Sequence, residues 1–342
     1  MSVNRIASSL IICIAVVIIL IYGSSLLIPF VFAWCIWFLV REIKHLLNRI
    51  PWINDKVPNW INNLLASIVI FAALGMIGRV LSVNIQSLAR SYPQYESNIH
   101  HVTDGLNKQF NIDIMRYVNQ YAGDLDFGAI LSSIFNSISD MLGNAVMILI
   151  YVIFIFIEEA FFLPKLKALF SDEKQYDKIY SILVKISDSI SHYIGLKTLI
   201  SIITGTASYI ALFIIGIQAP FFWAFLIFLL NYIPTIGSLT ATVFPAVFAL
   251  LQYGEVGPFV YVLVCVGAIQ VIMGNIIEPK MMGNSLNISA LVTLLSLSFW
   301  GALWGVTGMM LSVPITVMMV IIFSHFPATR PIAILLSDKG KV

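Results

Sequence analysis

The chain has 342 residues, of which 59% are apolar and 11% charged, with a formal net charge of +2. A soluble domain carries about 25% charged residues, so water is not the solvent for most of this surface. The small net charge also excludes the basic footprint of a nucleic-acid partner.

The first predicted span is Ile6–Tyr22 and the second Leu26–Val40, separated by Gly23-Ser24-Ser25. Arg5 followed by an apolar run and small residues imitates a secretory signal. The second apolar run begins at once, however, and the two together predict a retained helical hairpin. Residues 41–60 come next, with Arg41, Lys44, Arg49 and Lys56 against Glu42 and Asp55. That basic excess predicts a cytoplasmic connector. Span 3 is Ile61–Leu81. Residues 84–140 are polar and acidic, fitting the outer face as a set of short helices. The His100-His101 pair there reads as solvated surface, because adjacent helix positions diverge by about 100°.

Span 4 is Met141–Ile157, ending at Glu158-Glu159. Between 164 and 190 lysines alternate with acids, and Ile179, Ile182, Leu183, Ile186 and Ile190 recur at helical spacing. Ser171 can cap this helix and Asp172-Glu173 suit its positive end. The pattern predicts an amphipathic helix lying on the cytoplasmic membrane surface, or one packed on a neighbouring protomer. Span 5 is Gly195–Ile215.

Two later segments are not simple spans. Phe221–Tyr253 is 33 uncharged residues, about 50 Å as one helix. Ala290–Phe323 is 34. Each is too long for one crossing and too short for two of about 20 residues. Each has a break near its middle: Asn231-Tyr-Ile-Pro-Thr-Ile-Gly-Ser238 in the first, Gly301-Ala-Leu-Trp-Gly-Val-Thr-Gly308 with Pro314 beyond in the second. Both segments are introduced by Phe-Trp, at Phe222-Trp223 and Phe299-Trp300, which hints at a weak internal repeat. Span 7, Val256–Ile276, lies between them. If both broken segments are re-entrant hairpins, Glu255 is outside and Lys280 inside; eight simple crossings put Lys280 outside. Both arrangements leave Arg330, Lys339 and Lys341 cytoplasmic.

The sequence thus predicts an all-α polytopic membrane protein with about eight hydrophobic segments. Two of these are broken or re-entrant helical hairpins, and a small extracytoplasmic helical segment is added. The expected organisation is an N-terminal transmembrane scaffold of three spans (1–83), the extracytoplasmic segment (84–140), span 4 with the amphipathic helix (141–193), a transport unit with the broken helices (194–329) and a cytoplasmic tail (330–342).

Interrupted helices point to chemistry. Pro234 has no backbone donor and Gly237 permits angles other residues resist. Main chain that leaves the helix within lipid is tolerated only where protein or a wet cavity covers it, and carriers use such breaks to bind polar solutes. A kink that merely shapes packing is the plainer alternative. Charge sharpens the search: between Thr198 and Thr329 only Glu255, Glu278 and Lys280 are formally charged. A charge at mid-bilayer costs on the order of 2.5–3.5 kcal/mol, so Glu278 is either a solute or coupling-ion site or one half of a local pair with Lys280. Candidates for substrate binding or gating are Asn231, Pro234, Thr235, Gly237 and Ser238 at the first break. To these are added Asn275, Glu278 and Pro279 at the end of span 7, and Gly305, Gly308 and Pro314 at the second break. Gly305 and Gly308 also fit simple close helix packing.

Cys13, Cys35 and Cys265 lack metal or disulfide spacing. No Walker-type phosphate loop is present, and HExxH and GxSxG are missing, so an enzyme is not expected. No metal or cofactor is expected either, and energy would come from a proton or sodium gradient.

Four blocks, Ser191-His-Tyr-Ile-Gly-Leu-Lys-Thr198, Asn231-Tyr-Ile-Pro-Thr-Ile-Gly237, Gly274-Asn-Ile-Ile-Glu-Pro279 and Gly308-Met-Met-Leu-Ser-Val-Pro314, resemble the autoinducer-2 exporter family of bacterial membrane proteins. The match is best over residues 188–337. The resemblance implies a multi-pass protein of the bacterial inner membrane with cytoplasmic termini. Its partners would be membrane lipid, a small polar solute and further copies of itself, with a pentamer as the candidate assembly. The implied activity is alternating-access export of the quorum-sensing signal autoinducer-2; other members look like sodium(lithium)/proton antiporters, which stands as the alternative. A passive membrane scaffold would instead accept substitution at the breaks.

Overall fold

A computed structural model describes residues 3–47, 59–91, 95, 98, 143–170, 172–282, 288–338 and 340. The helices are α1 (Val3–Tyr22), α2 (Ser24–Leu47), α3 (Asn59–Arg90), α4 (Ala145–Leu169), α5 (Glu173–Ile215), α6 (Pro220–Leu230), α7 (Ile236–Tyr253), α8 (Val256–Ile272), α9 (Glu278–Met282), α10 (Ala290–His325) and α11 (Arg330–Leu336). A π-helical turn, Met273–Ile277, joins α8 to α9. Among the described residues six helices are long and apolar enough to cross a membrane: 24–43, 145–169, 173–215, 236–253, 256–282 and 290–325. The expected 84–140 segment, including His100 and His101, lies outside the described residues apart from the end of α3, Ser91, Tyr95 and Asn98.

The chain forms two compact units. One comprises 1–69, 144–196 and 282–342; the other comprises 70–143 and 197–281. In the first unit, α1 and α2 do not make the expected hairpin. Gly23 N–H donates to Ile19 O at 2.8 Å and Leu27 N–H to Gly23 O at 2.9 Å, so the helical ladder passes through Gly23. A helical hairpin needs a loop of about 2–5 residues; here the two helices meet at a bend.

The amphipathic stretch also differs from expectation. It is the first part of α5, an unbroken helix of 43 residues and about 65 Å, not a separate surface helix. Ser171 lies outside the described residues, and Asp172 Oδ1 accepts from Lys174 N–H at 3.1 Å at the helix start. Its polar face is held by its own chain: Arg41 of α2 donates to Ser187 and Asp188, and Glu42 lies 3.9 Å from His192.

In the second unit the segment 221–253 forms a helical hairpin, α6 running out and α7 back. At its base Gln218 N–H donates to Gln252 Oε1 at 2.7 Å, and Tyr253 Oη donates to Ile215 O at 2.9 Å. Midway the rings of Trp223 and Phe248 lie 4.8 Å apart, a contact worth about 0.5–1.5 kcal/mol beyond area burial. Around it Leu81, Leu88, Leu212, Phe222, Ile227, Val262 and Val266 form the core. Next, α8 packs on α7: a Cβ placed on Gly267 would lie 3.6 Å from Thr242 Cγ2.

The segment 290–325 is also a hairpin, within the first unit. Trp304 (φ −127°, ψ 16°) and Gly305 (φ 59°, ψ −142°) leave the helix. Thr316 Oγ1 lies 2.9 Å from Ser296 Oγ, whereas 20 residues of straight helix would separate them by about 30 Å. The chain therefore reverses at 304–305. Ser289 caps the first arm through Val292 N–H at 3.2 Å, and its own N–H donates to Leu336 O at 3.2 Å, which brings α11 back to the hairpin's start.

Candidate functional site

The tip of the α6–α7 hairpin carries the polar groups that lipid cannot solvate. Asn231 closes α6 and is 7% exposed. Its Nδ2 donates to Ser201 Oγ at 3.0 Å. Beside it Tyr232 Oη and Thr198 Oγ1 lie 2.6 Å apart. Thr198 and Ser201 stand one turn apart on α5, so α5 covers the tip with a polar face.

After Pro234 the chain turns through Thr235, whose φ of 60° is in the left-handed region. A β-branched residue resists that region, so Thr235 is strained. Ser238 Oγ donates to Thr235 O at 2.9 Å, tying the strained carbonyl into the first turn of α7. Gly237 is buried, and a Cβ there would overlap the Leu230 carbonyl oxygen. Only glycine lets the two arms close this tightly.

The end of α8 supplies the acid. Buried positions on α8 recur at Val262, Val266 and Gln270, then Met273. A regular helix would continue that stripe at Ile277. The π turn instead has Glu278 N–H donating to Met273 O. One extra residue in a turn advances the rest of the helix by about 100°. The π turn thus rotates Glu278 toward α5, where its Oε1 accepts from Lys197 Nζ. Lys197 is 4% exposed, and the Glu278 side chain 24%. Removing one partner of such a pair strands a buried charge at a cost of about 3–5 kcal/mol.

Lys197, Thr198 and Ser201 therefore join Asn231, Tyr232 and Glu278 in one polar cluster. The local pair of Glu278 with Lys280 is not what forms: Lys280 is exposed, and the partner lies 81 residues away in sequence. Asn275 sits in the π turn and is exposed, as is Pro279, so neither side chain is buried in the cluster.

The second tip is built differently. A Cβ on Gly308 would overlap the Trp300 carbonyl oxygen, so Gly308 matches Gly237 in function. Gly305 has open space around its Cα, so the packing reading does not hold there; its positive φ is what requires glycine. Trp300, Trp304 and Leu311 form an apolar cluster against Leu20, Leu27, Ile28, Val31 and Cys35. Trp304 Nε1 donates to Leu20 O at 2.8 Å, just before the α1–α2 bend. Pro314 is buried within the second arm. The two Phe-Trp pairs are not equivalent: Trp300 contributes the carbonyl that faces its glycine, whereas in the first hairpin Leu230 does, seven residues after Trp223.

Sequence reasoning missed Lys197, Thr198, Ser201 and Tyr232. The signal for Lys197 was the acid itself. A carboxylate placed in an apolar span needs a countercharge, and Lys197 is one of the two basic residues, with Arg330, that border the charge-poor stretch. Among the described residues no three His, Cys, Asp or Glu gather as a metal site would require.

The AI-2E family transporter model matches residues 10–328. The chain is 31% identical over 328 residues to the AI-2 transport protein TqsA of Escherichia coli (strain K12), covering 94% of this chain and 92% of that protein. It is 31% identical over 343 residues to a Haemophilus influenzae protein named as a candidate transport protein, covering 95% of each. A third relative, the candidate transport protein YhhT of Escherichia coli (strain K12), is 45% identical over 131 residues, covering 37% of this chain and 36% of that protein.

Proposed function

The chain belongs to the AI-2E transporter family, and on that premise we propose that it exports a small polar signalling molecule, autoinducer-2, by alternating access across the bacterial inner membrane. One observation carries this reading. A hairpin tip leaves the helix and holds a buried amide, Asn231, against Ser201, one turn from the Lys197–Glu278 pair. Neutral hydrogen-bonding groups beside a closed ion pair suit an uncharged polar solute, which needs partners but no net countercharge. Such a solute moves only by binding inward- and outward-facing states and shifting their populations. The name of TqsA, 31% identical to this chain, supports autoinducer-2 as the cargo. Cytoplasmic termini, assembly into homo-oligomers and coupling to a proton or sodium gradient belong to the same proposal.

The ion pair also favours a second reading, sodium(lithium)/proton antiport. A cation arriving at Glu278 would compete with the Lys197 ammonium for the same carboxylate. One experiment separates the two. The full-length protein is reconstituted in vesicles, and autoinducer-2 flux and sodium-dependent proton flux are measured side by side. Autoinducer-2 flux is the expected result; robust cation exchange without it would replace the first reading by the second.

A further inference from the structure

We propose that Gln270 is a solute-contacting, specificity-determining residue of this carrier, its side-chain amide hydrogen bonding a hydroxyl or carbonyl of an uncharged, hydroxyl-rich solute in transit; this rests on the transport reading above. Gln270 is 6% exposed, and its Nε2 has no hydrogen-bond partner among the described residues. A buried amide donor left unmade is costly, and native interiors leave few. Gln270 is also the single polar residue on the buried stripe of α8, between Val266 and Met273.

Its position fits a site. Thr242 of α7 faces Gly267 of α8, and the two helices run in opposite directions through the short connection at Gly254 and Glu255. One turn beyond Gly267, Gln270 is therefore level with Ser238, at the start of α7 beside the hairpin tip. On its own helix Glu278 follows about two turns further on. The same unit holds two more buried donors with no partner among the described residues, Ser208 Oγ and Trp223 Nε1.

The proposal separates from a structural role by opposite stability effects. Gln270→Leu and Gln270→Met remove an unmade amide and keep the volume, so both variants should melt at or above the wild-type temperature in detergent. In autoinducer-2 flux assays they should lose roughly 3- to 10-fold in kcat/KM, mostly through KM, the loss of one neutral hydrogen bond to solute. Unchanged flux in both variants would overturn the proposal. A lower melting temperature would show that Gln270 has a structural partner and would overturn it as well. Sodium-driven proton flux without autoinducer-2 flux in the wild type would overturn the solute class. Wild-type vesicles silent to both would remove the transport reading itself, a result distinct from the other three.

Discussion

The two helical hairpins solve the same folding problem and use it for different ends. Each breaks a segment too long for one crossing, and each closes on a glycine, Gly237 or Gly308, that lies against a carbonyl of the opposing arm. The first tip is polar, with Asn231 and Tyr232 bonded to α5 side chains that flank Lys197. The second is aromatic, with Trp300 and Trp304 in an apolar cluster and the Trp304 indole held by the Leu20 carbonyl. A broken membrane helix is therefore not in itself a binding site. What decides is whether the groups exposed by the break meet polar partners or apolar ones. The groups at the first break meet polar side chains of α5, and those at the second meet apolar ones.

The largest expected effect tests the polar side. Glu278→Met alone should destabilise the protein by about 3–5 kcal/mol, because Lys197, 4% exposed, is left buried without its partner. Adding Lys197→Met should restore most of that stability, measured by denaturation in micelles as a double-mutant cycle. Next come Gly237→Ala and Gly308→Ala, each forcing a methyl group onto a backbone carbonyl and costing about 1–3 kcal/mol or more. Stability should fall alike in both. The flux of whatever refolds should fall much further for Gly237, and equal flux losses would erase the distinction between the hairpins.

Backbone strain gives a finer contrast. Gly305 already uses glycine for its positive φ, whereas Thr235 bears the same strain with a β-branched side chain. Gly305→Ala should cost about 1–2 kcal/mol and Thr235→Gly should gain about 1 kcal/mol. A transport rate that drops as Thr235→Gly stabilises the fold would mark the strain as functional. Smallest of all, Trp304→Phe should cost about 1 kcal/mol by releasing the Leu20 carbonyl, with KM unchanged in flux assays. A shifted KM would give the second hairpin a share of the solute site.

Much of this was legible in residues alone. The length of 221–253 and 290–323 between charges pointed to a break in each, and Pro234 and Gly305 lie where the helices stop. Asn231 and Glu278 stood out because polarity in lipid is expensive. Other features needed three dimensions. Lys197 meets Glu278 across 81 residues, a distance no periodicity reports. The π turn adds one residue to a stripe that reads as ordinary helix, so nothing in Met273–Ile277 announced that Glu278 would face inward. Gly23 reads as a loop between two spans because composition cannot tell a bend from a turn. The amphipathic stretch and span 5 form one helix for a related reason: a change in polarity along a chain does not require a break in its hydrogen bonds.

The claim on which the rest turns is that the Lys197–Glu278 pair belongs to the transport apparatus and is not mere scaffolding. It is tested most directly in vesicles carrying Lys197→Met with Glu278→Met, assayed for whichever flux the wild type shows. The account predicts flux at the level of empty vesicles in a protein that still unfolds near the wild-type temperature. Full flux from that well-folded variant would contradict it.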